Sequence, residues 1–180
     1  REKPMSFIKR QLMLVALAAL VSTVQTASAQ PYAYVPNYSG NNVSVIDTAT
    51  RTVVSTIPVS GGPAAAAVNL SGTLVYTANF GSASVSVIDT ATNTVTATIP
   101  VGQNPEFVAF NNAGTKVYVT NRGSNSVSVI DVASNTVSAT IPVGGGPVGI
   151  VLNAAGTLAY TANNAGQTVS VIDANTNTVS

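Results

Sequence analysis

From residue 32 onward the chain alternates short runs of β-branched and small apolar residues with clusters of Asn, Gly, Ser, Thr and Pro. Between residues 105 and 143 four such runs follow one another: Pro105 to Asn111 (A), Lys116 to Asn121 (B), Val127 to Asp131 (C) and Thr136 to Val143 (D). Runs of this length and alternation predict β-strands, and none of them carries the 3.6-residue period of a helix. The separators Asn111-Asn112-Ala113-Gly114, Asn121-Arg122-Gly123-Ser124 and Asp131-Val132-Ala133-Ser134-Asn135 offer Asx caps or glycine for a left-handed turn residue. Connections this short join antiparallel neighbours, so the pattern predicts a four-stranded meander.

The meander repeats. Tyr34, Tyr76, Tyr118 and Tyr160 are 42 residues apart, as are Asp47, Asp89, Asp131 and Asp173, and Val-Ser-Val-Ile-Asp recurs unchanged from residues 43, 85, 127 and 169. A period in this range denotes stacked supersecondary units. Pro58, Pro100 and Pro142 fall inside strand D; proline cannot donate to a ladder, so D is predicted at the sheet edge, whereas Pro63, Pro105 and Pro147 only open strand A. Strand C lacks proline and is apolar on both faces, Val127 and Val129 on one and Ile130 on the other, as required when each sheet packs against a neighbour on both sides. Four-stranded antiparallel sheets stacked at this period make a β-propeller. A β-helix is the competing architecture, but parallel rungs would not place a proline on one edge strand of every unit. Immunoglobulin-like repeats need about 100 residues each.

The tetrapeptide Tyr118-Val119-Thr120-Asn121, with Tyr-Val-Pro-Asn from residue 34 and Tyr-Thr-Ala-Asn from 76 and 160, resembles the signature of the YVTN-family β-propeller repeat proteins. The resemblance covers residues 32 to 180 and extends to the Val-Ser-Val-Ile-Asp and Thr-Ile-Pro-Val blocks. It implies an exported or cell-surface protein of a bacterium or archaeon, with surface-layer proteins among its relatives, and a ring usually of seven blades. It implies no shared catalytic residue. About three and a half repeats are present, starting at a B strand and stopping at Thr178-Val179-Ser180, so a truncated, open arc of about four blades is expected, with apolar faces bare at both ends and prone to self-association.

Ahead of the repeats, Lys9 and Arg10 precede an apolar run from Leu12 to Val21 that ends in Ala27-Ser28-Ala29. This reads as a secretory signal peptide, a helix preceding the propeller, with Arg1 to Pro4 upstream of an initiator Met5. Residues 1–29 are thus assigned to upstream sequence and signal, and 30–180 to a partial propeller. The run is too short to span a membrane, and no later segment would stop transfer, so a secreted, periplasmic or cell-surface location is expected. Beyond residue 30 three basic residues (Arg51, Lys116, Arg122) face five acidic ones (Asp47, Asp89, Glu106, Asp131, Asp173), a balance of −2 that offers no basic patch for nucleic acid. Cysteine and histidine are absent and both methionines precede residue 30, which closes thiolate chemistry, disulfides, His-based metal sites and His, Met or Cys haem ligation to the repeats. No cofactor is expected.

The recurrent residues invite chemical readings that simpler ones displace. A calcium ring from one aspartate per repeat is thin, and each carboxylate is better placed to cap its own turn amides. The tyrosines are expected to pack between blades with the hydroxyl reaching a partner, and Asn37, Asn79, Asn121 and Asn163 to serve similarly. Gly144-Gly145-Gly146-Pro147-Val148-Gly149 precedes a strand, not a helix, and reads as a turn and not a phosphate loop. The sequons at Asn37, Asn42 and Asn69 matter only in a host that glycosylates them.

More informative is where the repeats differ. The A–B and C–D loops hardly change, whereas B–C (Tyr38-Ser39-Gly40, Phe80-Gly81-Ser82, Arg122-Gly123-Ser124, Asn164-Ala165-Gly166) and D–A (Ser60-Gly61-Gly62, Gly102-Gln103-Asn104, Gly144-Gly145-Gly146) do. In an up-and-down blade these two loop sets share one side. The expected function is a non-enzymatic interaction or surface-structural module that binds a protein or cell-surface glycan through Tyr38, Phe80, Gln103, Glu106, Arg122 and Asn164. The alternative is part of a periplasmic propeller enzyme, lactonase-like or dehydrogenase-associated, whose active site lies in further blades.

Overall fold

In the computed structural model residues 32–180 are described; the expected signal peptide and the residues upstream of it lie outside them. Among the described residues fifteen strands form four antiparallel sheets, here called blades. Blade 1 is three-stranded, with β1 (Tyr32–Asn37), β2 (Asn42–Asp47) and β3 (Thr52–Pro58) in the roles of B, C and D. Blade 2 comprises β4 (Pro63–Val68), β5 (Leu74–Asn79), β6 (Ser84–Asp89) and β7 (Thr94–Pro100). Blade 3 comprises β8 (Pro105–Phe110), β9 (Lys116–Asn121), β10 (Ser126–Asp131) and β11 (Thr136–Pro142). Blade 4 comprises β12 (Pro147–Leu152), β13 (Leu158–Asn163), β14 (Thr168–Asp173) and the short β15 (Thr178–Val179). Within each blade every strand pairs antiparallel with the next in sequence, which is the expected meander and rules out parallel rungs.

Local chemistry fixes the hairpins. At the C–D turn the Asp89 carboxylate accepts from the amides of Ala91 and Thr92, both at 2.9 Å, and Asp47 and Asp173 accept from the equivalent amides. These bonds to the charged form, led by the amide three residues on, hold all four aspartates below the ordinary carboxylate pKa. The turn then closes through a left-handed residue, Arg51, Asn93, Asn135 or Asn177. At the A–B turn Asn69, Asn111 and Asn153 accept two amides each, and Gly72, Gly114 and Gly156 supply positive φ near 70°.

Packing is between blades, and the faces divide as the sequence of strand C predicts. Val127 and Val129 join Tyr118 and Ile141 against Ile150, Ala159 and Ile172 of blade 4, while Ile130 turns the other way, toward Tyr76, Val85 and Val87 of blade 2. A third cluster, Val43, Val45 and Ile57 with Val75 and Ile88, joins blades 1 and 2. The tyrosine hydroxyls cross these junctions as expected: Tyr34 donates to Asn93 Oδ1 at 3.1 Å and Tyr76 to Asn135 Oδ1 at 2.6 Å, each 59 residues on, in the C–D turn of the next blade. The Tyr118 hydroxyl and Asn177 Oδ1, at the same offset, are both buried without a partner. Burial first, then the neighbouring aspartate of the next blade, raises the pKa of Tyr76 and Tyr118, so both phenols stay protonated.

The repeated asparagines depart from expectation. They do not act like the tyrosines: Asn79 and Asn121 donate within their own blade to two strand C serines, Ser84 and Ser86 or Ser126 and Ser128, at 2.9–3.2 Å. Nor do they cap the B–C turn, whose left-handed residue is Asn41, Ala83, Asn125 or Gln167. The amide is long enough to span the hairpin and bridge both hydroxyls, which ties B to C where the strands end.

Candidate functional site

Hydrogen bonds join the B–C and D–A loops into one rim. In blade 2 the amides of Phe80 and Gly81 donate to the carbonyls of Gly62 and Gly61 at 2.8 and 3.0 Å. Arg122 and Gly123 donate to Asn104 and Gln103, and Asn164 and Gly166 to Gly146 and Gly145, in the same way at 2.9–3.0 Å. The rim also crosses from blade to blade. Asn41 Oδ1 accepts from the Gly62 amide and Asn125 Oδ1 from the Gly146 amide, each at 2.8 Å, while Asn104 Nδ2 reaches the Phe80 carbonyl at 3.4 Å. The A–B and C–D loops bond one another separately, through Thr90, Val132 and Ala174 amides on Thr73, Thr115 and Thr157 carbonyls. Two loop sets, two sides.

Five of the six expected residues belong to the first set, and Glu106 lies beside it at the start of β8. Tyr38, 54% exposed, lies over Gly62, where an added Cβ would come within 3.3 Å of its ring, and it meets Phe80 with ring centroids 6.0 Å apart and planes tilted by 57°. Glu106 and Arg122 form an exposed ion pair at 3.3 Å. Such a pair contributes about 0–1 kcal/mol to stability, so it serves the surface more than the fold. The Gln103 amide donates to Ser124 Oγ at 2.7 Å, holding that D–A loop against the B–C loop of Arg122. Asn164 joins the rim through its own amide, one blade further on. The structure therefore brings Tyr38 to Phe80 and Glu106 to Arg122; it draws no side-chain contact between these two pairs or from either to Asn164.

Two features of the rim escape a reading by sequence. Strand A carries a β-bulge after its proline: Pro105 pairs with Asn121 and Phe107 with Thr120, so Glu106 is the extra residue. A bulge re-aims the side chain it carries, and here it turns Glu106 toward Arg122. Ala64 and Val148 occupy the same bulge in blades 2 and 4, so the repeat supplies the geometry and only blade 3 puts charge on it. The second feature is the bridging role of Asn41 and Asn125; the only sequence signal is an Asn at a position where Ala83 and Gln167 also occur. Beside the rim a groove of about 600 Å³ runs between Gly102, Ser124 and Asn125 and the edge-strand residues Pro100, Thr140 and Pro142.

Among the described residues no group of three or more His, Cys, Asp or Glu stands together, and no helix is long and apolar enough to cross a membrane. The four aspartate carboxylates are held by their turns, which is the arrangement expected of caps.

The fold is that of a β-propeller, an all-β stack of antiparallel blades. Hydrazine synthase of Kuenenia stuttgartiensis contains a similar structure, with a TM-score of 0.79 and 26% identity over 82% of this chain and 44% of that one. A functionally unknown protein from Desulfotomaculum acetoxidans DSM 771 superposes with a TM-score of 0.71 at 17% identity, over 84% of this chain and 53% of that one. The chain thus spans about half the length of these solved structures. Neither the protein-family models nor the curated proteins give a match.

Proposed function

We propose that the protein is a non-enzymatic, exported propeller module of the YVTN-repeat kind, serving at the cell surface or in the periplasm to hold a protein or glycan partner. Its partner contacts the rim of B–C and D–A loops through Tyr38, Phe80, Gln103, Glu106, Arg122 and Asn164. One observation carries the reading: the loops that differ from blade to blade are joined into a single hydrogen-bonded rim, while the recurrent Tyr, Asp and Asn side chains are turned to turns, hairpins and blade junctions. An exposed aromatic pair beside an exposed Arg–Glu pair supplies the anchors that interfaces favour.

The test is partner capture. A surface-displayed chain with all six residues changed to Ser is compared with the parent for retention of cell-envelope protein and of purified envelope polysaccharide. Loss of capture with an unchanged unfolding midpoint supports the rim; equal capture by both chains refutes it. The alternative, part of a periplasmic propeller enzyme, lactonase-like or dehydrogenase-associated, with its active site in further blades, rests on the fold resemblance; the name hydrazine synthase belongs to the other protein.

A further inference from the structure

The groove beside the rim lies at the junction of blades 2 and 3, inside the stack. Pro100, Val101 and Gly102, where blade 2 ends, line one side, and Val137, Thr140 and Pro142 of β11 line the other. Ser124 and Asn125 of the B–C loop and Ser126 and Ser128 of β10 complete the lining. Ser126 and Ser128 are only 6% and 1% exposed, so they floor the groove, whereas Pro100, Thr140 and Pro142 are exposed at its lip. The volume, about 600 Å³, is that of a small-molecule site, and no charged side chain lines it. Its polar groups hold bonding capacity that the fold leaves unspent. Ser126 and Ser128 each accept from Asn121 Nδ2, at 3.2 and 2.9 Å, and neither passes its own proton to a protein acceptor. The Ser124 hydroxyl likewise only accepts, from the Gln103 amide. Asn125 uses its Oδ1 on the Gly146 amide and keeps both Nδ2 protons.

We propose that this groove binds a neutral saccharide. The sugar oxygens accept from the serine hydroxyls and Asn125 Nδ2, Thr140 at the lip bonds a further hydroxyl, and the ring carbons rest on Pro100, Val101, Val137 and Pro142. A charged ligand would shed its water here against no counter-charge, which disfavours anions and cations alike. A sugar fits because its hydroxyls donate and accept, as those of the groove do, so every unspent proton finds an oxygen without any group having to ionise. The counterpart positions between blades 1 and 2 carry Ser60 for Gly102 and Ala83 for Asn125, which puts a side chain where the glycine leaves space and removes the amide donor. The site is additional to the rim contact proposed above, since none of the six rim residues lines it.

The experiment follows the backbone amide resonances of the full chain during titration with cellobiose, maltose and N,N′-diacetylchitobiose. At least one of these is expected to give saturable shifts confined to Val101, Gly102, Asn125, Ser126, Val137 and their neighbours, with millimolar affinity. Thr140→Val keeps the shape of an exposed residue and removes one hydroxyl; it should weaken binding roughly 2- to 10-fold, the equivalent of one net hydrogen bond. Thr140→Trp sets a ring across the lip and should abolish the shifts while the rest of the spectrum stays native. No saturable shift with any of the three sugars overturns the proposal, as do shifts centred elsewhere or a Thr140→Trp chain that binds like the parent. Equal binding of digalacturonate overturns the neutral class, and binding of a capped Gly-Ser-Gly-Ser peptide without any sugar overturns the saccharide. The chain with its six rim residues changed to Ser should still bind the sugar, and Thr140→Trp should still retain cell-envelope protein, so the two readings fail separately.

Discussion

Tyr76 and Tyr118 are the same residue in the same position of consecutive blades, both fully buried, yet removing the hydroxyl should have opposite consequences. In Tyr76→Phe the 2.6 Å bond to Asn135 Oδ1 is lost. A net hydrogen bond contributes about 0.5–1.5 kcal/mol, and the half-buried Asn135 oxygen left behind adds to the loss, so a destabilisation of about 1–2 kcal/mol is expected. In Tyr118→Phe no bond is lost, because the hydroxyl has no partner. Burying an unpaired hydroxyl costs roughly 1–3 kcal/mol, and phenylalanine removes that cost; the variant should be neutral or about 1 kcal/mol more stable. Urea unfolding followed by far-ultraviolet circular dichroism measures both, since the chain has no tryptophan to report by fluorescence. With a slope of about 2 kcal/mol/M, the two midpoints should separate by about 1 M at equal slope. A double-mutant cycle of Tyr76→Phe with Asn135→Ala should show about 1 kcal/mol of coupling. If Tyr118→Phe loses as much stability as Tyr76→Phe, Tyr118 does reach Asn177 and the account of this junction fails.

Gly102→Ala and Gly144→Ala should each cost about 1–3 kcal/mol, because the new Cβ would fall 2.7 Å from Asn121 Cβ and Cγ or 2.5 Å from Asn163 Nδ2; Gly149→Ala, with open space around it, should be neutral by the same urea assay. The turn-capping aspartates have folded pKa values below 3.8, so their contribution is complete above the unfolded value and disappears as pH falls through the folded one. Midpoints should therefore be level from about pH 7 to pH 5 and decline below about pH 4, less steeply in Asp89→Asn/Asp131→Asn. The tyrosines reverse the sign: their raised pKa values predict stability that falls as pH rises past about 10, with a smaller fall in Tyr76→Phe. Single rim substitutions such as Arg122→Ser and Phe80→Ser should move the unfolding midpoint by less than about 1 kcal/mol equivalent while reducing partner capture.

Strand order, edge strands and the division of strand C between two faces were legible because each rests on a rule that one residue type enforces. Proline in Thr-Ile-Pro-Val demands an edge, and Val-Ser-Val-Ile demands apolar company on both sides. Turn caps were legible for the same reason, since Asp two residues before an amide has little else to bond. What escaped was longer-range. The bulge that re-aims Glu106 exists only in the pairing of β8 with β9, and nothing in Pro-Glu-Phe marks which residue goes unpaired. The role of Asn121 was misjudged because its recurrence in step with the tyrosine suggested the same blade-to-blade role; its bonding depends instead on Ser126 and Ser128 facing it across the hairpin. The unmade bond between Tyr118 and Asn177 could not be read at all, because the 59-residue offset predicts that it forms.

The rim is closed by main-chain bonds, and that bears on where specificity can reside. Position 80 and its equivalents hold Phe80, Arg122 and Asn164: an aromatic ring, a cation and an amide. All three donate the same backbone bond to the same D–A residue, at 2.8, 3.0 and 2.9 Å. Because that bond is main chain to main chain, it is indifferent to the side chain, and three natural substitutions within one molecule leave it unchanged. At the tyrosine and aspartate positions the side chain itself makes the bond, so replacement there disturbs a junction or a turn before it can alter recognition. A repeat scaffold of this kind can change its partner only where the backbone holds the loop without help. That condition holds on both sides of the blades, since Thr90, Val132 and Ala174 also bond through the main chain; what sets the B–C and D–A side apart is that Arg122 and Glu106 make blade 3 unlike its neighbours there.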